Sequence, residues 1–270
     1  MIPVLFEIGP LKIYSYGFML VVAFYTCYFL LSKDLKQLGY EAKLAGDIVF
    51  SAAVGGILGS KIYYLIENFG RVIDDPIGMI FSGSGLVFLG GLMGGTLGVT
   101  LVLRKQDLPW LKFADIVAPL LILGYAIGRV GCFLVGDDYG IPTHSSLGIA
   151  FENGLPPSTY HVFQSYYPWI DLTGFEPGLL TVHPTQLYET TIGLAIFAFL
   201  WKKRSSVKVL GSLFFTYLIL AGLERFFIEF IRTNEHYLFN LTGSQLISLV
   251  MIVIGTVGLV KPISPSEKPK

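Results

Sequence analysis

The chain has 270 residues, of which 53% are hydrophobic and 14% are charged, and its 19 basic and 19 acidic residues give a formal net charge of zero. Soluble domains carry about 25% charged residues, so this composition excludes an ordinary soluble protein and a disordered chain. The absence of a basic surplus excludes nucleic acid as the expected partner. Apolar residues are gathered in blocks of about twenty, the length that a helix needs to cross the hydrocarbon core of a bilayer.

Seven apolar runs predict membrane-spanning helices. Backbone groups in lipid must be hydrogen-bonded within their own segment, and the alternation typical of barrel strands is absent. The predicted spans cover residues 14–31, 47–66, 81–103, 113–133, 187–201, 209–230 and 244–260. We therefore predict an all-α polytopic membrane protein with about seven transmembrane helices, built as a single integral membrane domain over residues 1–270.

The positive charges predict the orientation, because Lys and Arg are retained on the cytoplasmic side of a membrane. The opposite side has Lys12, Lys61 and Arg71. Thirteen of the 19 basic residues share one side of the predicted spans, namely Lys33, Lys36, Lys43, Arg104, Lys105, Lys112, Lys202, Lys203, Arg204, Lys208, Lys261, Lys268 and Lys270. The N-terminus is therefore predicted outside and the C-terminus in the cytoplasm.

A long outer segment, residues 136–186, separates the fourth and fifth predicted spans and contains neither Lys nor Arg. Segments of this length usually carry function or are disordered. Its aromatic residues favour a small folded extracytoplasmic cap inserted into the membrane domain. These residues are Tyr139, Tyr160, Phe163, Tyr166, Tyr167 and Trp169.

Three arginines, Arg129, Arg225 and Arg232, lie in or at the outer ends of predicted spans. A guanidinium is costly there, so such residues commonly mark functional sites. Together they predict a cationic site for an anionic headgroup. An arginine at a helix end can also extend its charge to the lipid headgroups, and this alternative stays open, above all for Arg232.

The first motif with chemical potential is GRVGCFLVGDDYG, residues 128–140. Small residues beside Arg129 allow a backbone or a headgroup to approach closely, and the guanidinium can bind a phosphate with two hydrogen bonds. Asp137 and Asp138 follow. The structural alternative is an Arg–Asp pair that fixes the loop.

The second motif, HPTQLYE, covers residues 183–189 at the start of the fifth span. A proline after His183 favours a helix start, and the spacing of Gln186 and Glu189 directs a polar face into the bundle. His183 could act as a general base, bind a phosphate, or satisfy a backbone carbonyl.

The third motif, LERFFIEFIR, covers residues 223–232. Arg225, Glu229 and Arg232 are spaced i, i+4, i+7 and so share one face of a helix. This face is either a second anion clamp or a buried ion-pair network. Glycines repeat at intervals of four in residues 84–98 and again in VGGILGSK, residues 54–61, which predicts close helix packing.

In order and content these motifs resemble the prolipoprotein diacylglyceryl transferases of bacterial inner membranes. The resemblance covers nearly the whole chain and also includes IYSYGFML at 13–20, GSKIYYLIENF at 59–69 and DIVAPL at 115–120. It implies an enzyme of the cytoplasmic membrane that moves a diacylglyceryl group from phosphatidylglycerol to the lipobox cysteine of a preprolipoprotein. A thioether forms and glycerol phosphate leaves. The implied partners are phosphatidylglycerol, the lipobox signal peptide and the bilayer, and no cofactor or metal is implied.

This chemistry needs a thiolate and stabilisation of a departing phosphate. By resemblance the catalytic residues are Arg129, Arg225, His183 and Asp137. The substrate-binding residues are Tyr16, Lys61, Cys132, Tyr139, Gly140, Gln186, Tyr188, Glu189, Glu229 and Arg232.

The chain departs from the family pattern at two notable positions. Leu89 stands where the family has a histidine before the paired glycines, and Cys132 stands where it has an asparagine. The base role then passes to His183 or Asp137. Two other functions remain open: a paralogue that transfers a lipid or headgroup to another acceptor, with Cys132 as a possible nucleophile, and a phospholipid-binding or transport protein without catalysis.

Overall fold

The computed structural model describes residues 1–9, 11–81 and 87–261. The strands are β1 (Val4–Ile8), β2 (Leu11–Tyr14), β3 (Ile149–Ala150) and β4 (Thr181–Val182). The helices are α1 (Ser15–Gln37), α2 (Ala42–Glu67), α3 (Phe69–Asp74), α4 (Pro76–Phe81), α5 (Phe88–Lys105), α6 (Trp110–Val135), α7 (Tyr160–Tyr166), α8 (Thr185–Lys203), α9 (Ser212–Ile228) and α10 (Gly243–Val260). Short 3-10 helices cover Arg204–Ser206 and Glu229–Ile231.

Each of the seven predicted spans coincides with a long helix: α1, α2, α5, α6, α8, α9 and α10. Residues 82–86, in the first part of the predicted third span, lie outside the described residues. Within the described part, four helices are long and apolar enough to cross a membrane: Ser15–Gln37, Ala42–Glu67, Trp110–Val135 and Gly243–Val260. The fold is mostly helical and is that of a membrane protein, as predicted.

Beside the helices the structure contains two short antiparallel strand pairs, which the sequence did not predict. In the first pair, Glu7 lies opposite Lys12 and the two side chains form an ion pair of 3.1 Å. Gly9 has a φ of +58°, in the left-handed region that favours glycine. These strands are too short to give a periodic signal that stands out beside the long apolar runs.

The described residues form two compact units. One consists of Met1–Thr26 together with the described residues from Ala114 onward, and the other is Cys27–Phe113. In the second unit, α2 and α5 approach so closely that a Cβ on Gly59 would lie 2.3 Å from the carbonyl oxygen of Gly90. The close packing predicted from the glycine spacing is therefore observed.

In the first unit, α9 packs against both α8 and α10. Asp115 on α6 accepts hydrogen bonds from the backbone N–H groups of Gly211 (2.6 Å) and Phe214 (2.9 Å) and thereby caps the start of α9. The apolar core between these helices includes Ile122, Ile196, Leu200, Leu213 and Ala221.

Residues 136–186 have a buried core of their own, made by Tyr139, Phe151, Phe163, Leu180 and Val182. Tyr139 stacks on Phe151 with ring centroids 5.3 Å apart. Strands β3 and β4 pair beside this core. The segment therefore provides a packed support at the end of α6 and the start of α8, where the predicted chemical motifs lie.

Candidate active site

Three arginines from separate parts of the first unit converge on one carboxylate, Glu189. This residue lies in the second turn of α8 and is fully buried. Arg225 on α9 contacts Glu189 Oε1 at 2.8 Å, and Arg232 contacts Oε2 at 3.5 Å. Arg129 on α6 also forms an ion pair with Oε2. The interior of the helical bundle thus holds a carboxylate surrounded by guanidinium groups.

Two further carboxylates complete this cluster. Asp138 pairs with Arg129 at 2.8 Å and with Arg232 at 3.0 Å, one arginine on each carboxylate oxygen. Glu229 Oε2 pairs with Arg225 at 2.8 Å. The other oxygen of Glu229 accepts hydrogen bonds from Asn234 and Thr242. Every guanidinium of the cluster is therefore held by at least two carboxylates, which fixes its orientation.

The geometry adds carboxylates to the arginines of the predicted cationic site. Arg129, Arg225 and Arg232 are balanced by the three carboxylates of Asp138, Glu189 and Glu229. The sequence placed the arginines near one another but could not show which carboxylates join them from other elements. The ion pairs of the second alternative are therefore present, and the arginines are fixed groups of an almost neutral cluster; anion binding by them stays a prediction.

Arg232 does not extend its charge to lipid headgroups, because its side chain is only 5% exposed. It also does not continue the helix of Arg225. Helix α9 ends at Ile228, a 3-10 turn covers Glu229–Ile231, and Arg232 has extended backbone angles. The change of backbone lets Arg232 reach Asp138 while Arg225 reaches Glu189.

The loop after α6 is built around close backbone approaches. Gly136 and Asp138 have φ values of +76° and +58°. Gly140 donates its N–H to the carbonyl of His183 at 2.8 Å. A Cβ on Gly140 would lie 2.3 Å from the carbonyl oxygen of Ile231, so a larger residue there requires the backbone to shift. Gly140 therefore has a packing role: it lies between the start of α8 and the end of α9, where there is no room for a side chain.

The two aspartates of this loop differ in environment. Burial and the neighbouring Asp138 carboxylate raise the pKa of Asp137 to about 6, although the Cys132 thiol and Arg129 partly oppose this. Burial also acts to raise the pKa of Asp138, but Arg232 and Arg129 outweigh it and hold that pKa well below its usual range. Asp138 is thus a permanent anion, whereas Asp137 is able to take up a proton near neutral pH.

The HPTQLYE motif places its polar residues as predicted. Thr185, Gln186 and Glu189 are buried on one face of α8. Gln186 donates to the carbonyl of Asp137 at 2.5 Å, and Thr185 donates to that of Asp138 at 2.9 Å. The helix start therefore fixes the loop that carries both aspartates.

His183 lies just outside this helix. Its Nδ1 is 3.5 Å from the hydroxyl of Tyr188, and burial lowers the pKa of the imidazole. A histidine whose pKa lies below its usual value of about 6.5 is neutral at pH 7 and can accept a proton.

The remaining predicted residues have different surroundings. Tyr139 lies in the cap core, and its hydroxyl oxygen is within hydrogen-bond distance of the carbonyl oxygens of Pro156 (3.1 Å) and Pro157 (3.2 Å), a structural position. Cys132 is buried, with its sulfur 3.4 Å from Arg129 Nη1. Tyr16 on α1 packs close to Gly131 of α6: a Cβ on Gly131 would lie 3.3 Å from the tyrosine ring.

Lys61 belongs to the second unit, on α2, where its ammonium group lies 5.4 Å from the ring centroid of Tyr64.

Three residues of the cluster were missed by the sequence reasoning as site residues. For Asp138 the signal in the sequence is a second acid directly beside Asp137. Tyr125 and Glu224 gave weaker signals, because Tyr125 lies in an apolar run and Glu224 is one charge beside Arg225. The hydroxyl of Tyr125 joins them to the cluster, because it contacts both Glu189 and Glu224.

Comparison with known proteins gives a consistent result. Residues 3–261 match the family model described as "Prolipoprotein diacylglyceryl transferase". A phosphatidylglycerol–prolipoprotein diacylglyceryl transferase of Clostridium tetani is 35% identical over 255 residues, which covers 94% of each chain. That of Oceanobacillus iheyensis is 31% identical over 94% of this chain and 85% of the relative. Phosphatidylglycerol–prolipoprotein diacylglyceryl transferase 2 of Clostridium perfringens is 33% identical over 93% and 92%, respectively.

Proposed function

This chain belongs to the prolipoprotein diacylglyceryl transferase family, and from that premise we propose that it transfers a diacylglyceryl group from phosphatidylglycerol to the lipobox cysteine of preprolipoproteins. The cysteine sulfur forms a bond to the glyceryl carbon as the bond from that carbon to the phosphate oxygen breaks. The electron pair leaves with the oxygen, giving a thioether and glycerol phosphate. The site must therefore remove a thiol proton and stabilise a departing anion.

The observation that carries this proposal is the convergence of three arginines on Glu189. Guanidinium groups held in fixed positions stabilise developing phosphate charge without first having to reorganise. The side chain of Arg225 is 25% exposed, and Arg129 Nε is a buried donor without a partner among the described residues. We assign Arg129 and Arg225 to the lipid phosphate, while Glu189, Glu229 and Arg232 hold them in place.

Asp137 is our first candidate for the group that accepts the thiol proton. Its buried Oδ1 has no hydrogen-bond partner among the described residues, and its pKa of about 6 leaves it largely ionised at neutral pH. His183 is the second candidate, because its neutral ring also accepts a proton. Contacts with either substrate stay predictions for six further residues, namely Tyr16, Lys61, Cys132, Gly140, Gln186 and Tyr188.

The membrane arrangement is part of the proposal. All seven long helices cross the bacterial cytoplasmic membrane, with the N-terminus outside and the C-terminus in the cytoplasm, and residues 136–186 form an extracytoplasmic head of a single membrane domain. The distribution of Lys and Arg supports this orientation. An impermeant thiol reagent applied to intact cells should label Leu147→Cys but not Lys208→Cys. The reverse labelling would contradict the orientation.

The test of function is reconstitution of the purified chain in vesicles that contain phosphatidylglycerol, with a lipobox peptide as acceptor. We expect glycerol phosphate release in equal amount to thioether formation. A peptide with serine at the lipobox cysteine, and vesicles of phosphatidylcholine alone, are the controls. Lipid binding without turnover would support the non-catalytic alternative and refute the transferase.

A Cys132→Ser variant separates the transferase from the paralogue in which Cys132 is a nucleophile. Because the thiol is buried against Arg129 and Asp137, we expect a packing role and activity largely retained. Loss of nearly all turnover, with the fold intact, would favour the paralogue.

A further inference from the structure

The hydroxyl of Tyr125 lies between two buried carboxyl groups. Its oxygen is 2.9 Å from Glu189 Oε1 and 3.4 Å from Glu224 Oε1. A phenol has one proton and therefore donates to one carboxyl group at a time. Because the contact to Glu189 is the shorter one, the Tyr125 hydroxyl donates its hydrogen bond to Glu189. Toward Glu224 the Tyr125 oxygen acts as an acceptor, and an acceptor needs a donor opposite it.

Arg129 and Arg225 are the cations near Glu224, but each forms its ion pairs with other carboxylates. Glu224 is 7% exposed, and it forms no ion pair within the described part of the chain. Arg225, its neighbour in sequence, directs its guanidinium to Glu189, Glu229 and Ser244. A buried carboxylate without a paired cation is costly, whereas a protonated carboxyl group with a hydrogen-bond partner is not.

The ionisable groups that face Glu224 also favour its neutral, protonated form. They are Tyr125 and Arg129 from α6, Glu189 from α8, and Arg225 and Tyr217 from α9. Helix α10, which packs on α9, contains no charged residue. The nearby arginines are balanced by Asp138, Glu189 and Glu229, so an ionised Glu224 would be an additional, unbalanced anion.

We infer that Glu224 carries a proton and donates it to Tyr125, so that a hydrogen-bond chain runs from Glu224 through Tyr125 to Glu189. Glu224 and Tyr125 are then positioning residues: they orient Glu189, and Glu189 orients Arg129 and Arg225. The kinetic part of this inference rests on the proposed function, since it is the transferase reaction that the arginines serve. The protonation of Glu224 is independent of it.

Infrared spectroscopy of the reconstituted protein tests the proton directly. A protonated carboxyl group has a C=O stretching band separate from that of a carboxylate, and the band shifts when the protein is transferred to deuterated water. We expect Glu224→Gln to remove such a band. Glu176→Gln, at an exposed cap position, is the matched control and should leave the band unchanged. Persistence of the full band in Glu224→Gln would overturn the inference.

Kinetics of thioether formation test the positioning role. The amide of Glu224→Gln can still donate to Tyr125, so we expect kcat within about twofold of the parent, whereas Glu224→Leu and Tyr125→Phe should each lower kcat about tenfold by losing one hydrogen bond of the chain. KM for the lipid should change much less. Adding Glu224→Leu to Tyr125→Phe should cause no further loss, because both remove the same chain.

The outcomes are distinct. If the parent chain forms no thioether, the proposed function fails and the infrared result still decides the protonation. If the parent is active but Glu224→Gln is as slow as Glu224→Leu, a protonated donor is excluded. If Glu224→Leu matches the parent rate, the positioning role is excluded. If Glu224→Leu does not fold, the infrared band and the rate of Glu224→Gln decide the matter.

Discussion

Glu189 shows how single side chains determine this site. Its carboxylate is fully buried and forms ion pairs with Arg129, Arg225 and Arg232. It also accepts a hydrogen bond from the hydroxyl of Tyr125. Such a carboxylate is stable in the interior only because the cations are present, and the cations keep their positions only because the carboxylate holds them. The arginines are therefore structural, and under the proposed function they also bind the lipid phosphate, so substitution should affect both properties.

We expect Arg129→Ala and Arg225→Ala each to lower kcat about 10²- to 10³-fold, because each removes a fixed charge from the departing phosphate. The measurement is glycerol phosphate release from reconstituted protein. Arg104→Ala, at an exposed position in the last turn of α5, is the control and should leave the rate unchanged. Near-parental rates in both variants would refute the phosphate assignment.

Asp137 gives a prediction of pH dependence. With its pKa raised to about 6, this carboxyl group is neutral below that pH and ionised above it. Only the ionised form accepts a proton, so kcat/KM should rise as the pH increases through about 6 and then level off. Asp137→Asn should abolish this rise of kcat/KM with pH and lower the rate about 10²-fold. His183→Gln should retain the rise of kcat/KM through about pH 6. An unchanged profile in Asp137→Asn would transfer the base role to another group.

At the scale of elements, glycines decide how closely two backbones approach. On α2, Gly59 faces α5 so tightly that a Cβ would lie 2.3 Å from the carbonyl of Gly90, whereas a Cβ on Gly56 would lie 3.7 Å from that of Gly91, an ordinary contact. The two glycines occupy one helix and differ only in the space opposite them. They therefore form a matched pair for testing the packing.

We expect Gly59→Ala to destabilise the protein by about 1–3 kcal/mol through overpacking, because backbone atoms must move apart. Gly56→Ala should be neutral or slightly stabilising, since alanine is the better helix former. Thermal unfolding in detergent micelles measures both. Equal melting temperatures for the two variants would show that the α2–α5 contact is looser than described.

The whole chain is a transferase of lipoprotein biosynthesis by family, and it differs from the family pattern at Leu89. Leu89 is the second residue of α5, directly before the glycines that pack on α2. Because the site in the first unit contains two other groups able to accept a proton, Asp137 and His183, we do not expect a histidine at position 89 to be essential.

A bacterial strain lacking its own transferase tests this expectation. The chain should restore growth as it stands, and Leu89→His should not be needed. Expression without growth, together with rescue by Leu89→His, would show that the missing histidine is required. Failure of both variants despite membrane insertion would contradict the proposed activity itself.

The amino-acid sequence alone predicted the membrane class, the long helices and the motifs of the family. These follow from local properties: apolar length set by bilayer thickness, and helical spacing that places Gln186 and Glu189 on one face. Glycine spacing likewise predicted the close packing seen between α2 and α5. The short strands were missed because their pattern is too brief to detect.

Only the tertiary structure decided how the charges combine. Arg225 and Arg232 were predicted on one helix, yet α9 ends between them, and the resulting change of backbone brings Arg232 to Asp138. Glu189 meets Arg129 and Tyr125 across large separations in sequence, which no local spacing records. The predicted cationic site is charge-balanced for this reason: the net charge around a buried arginine depends on which distant carboxylates face it, and that is a property of the fold.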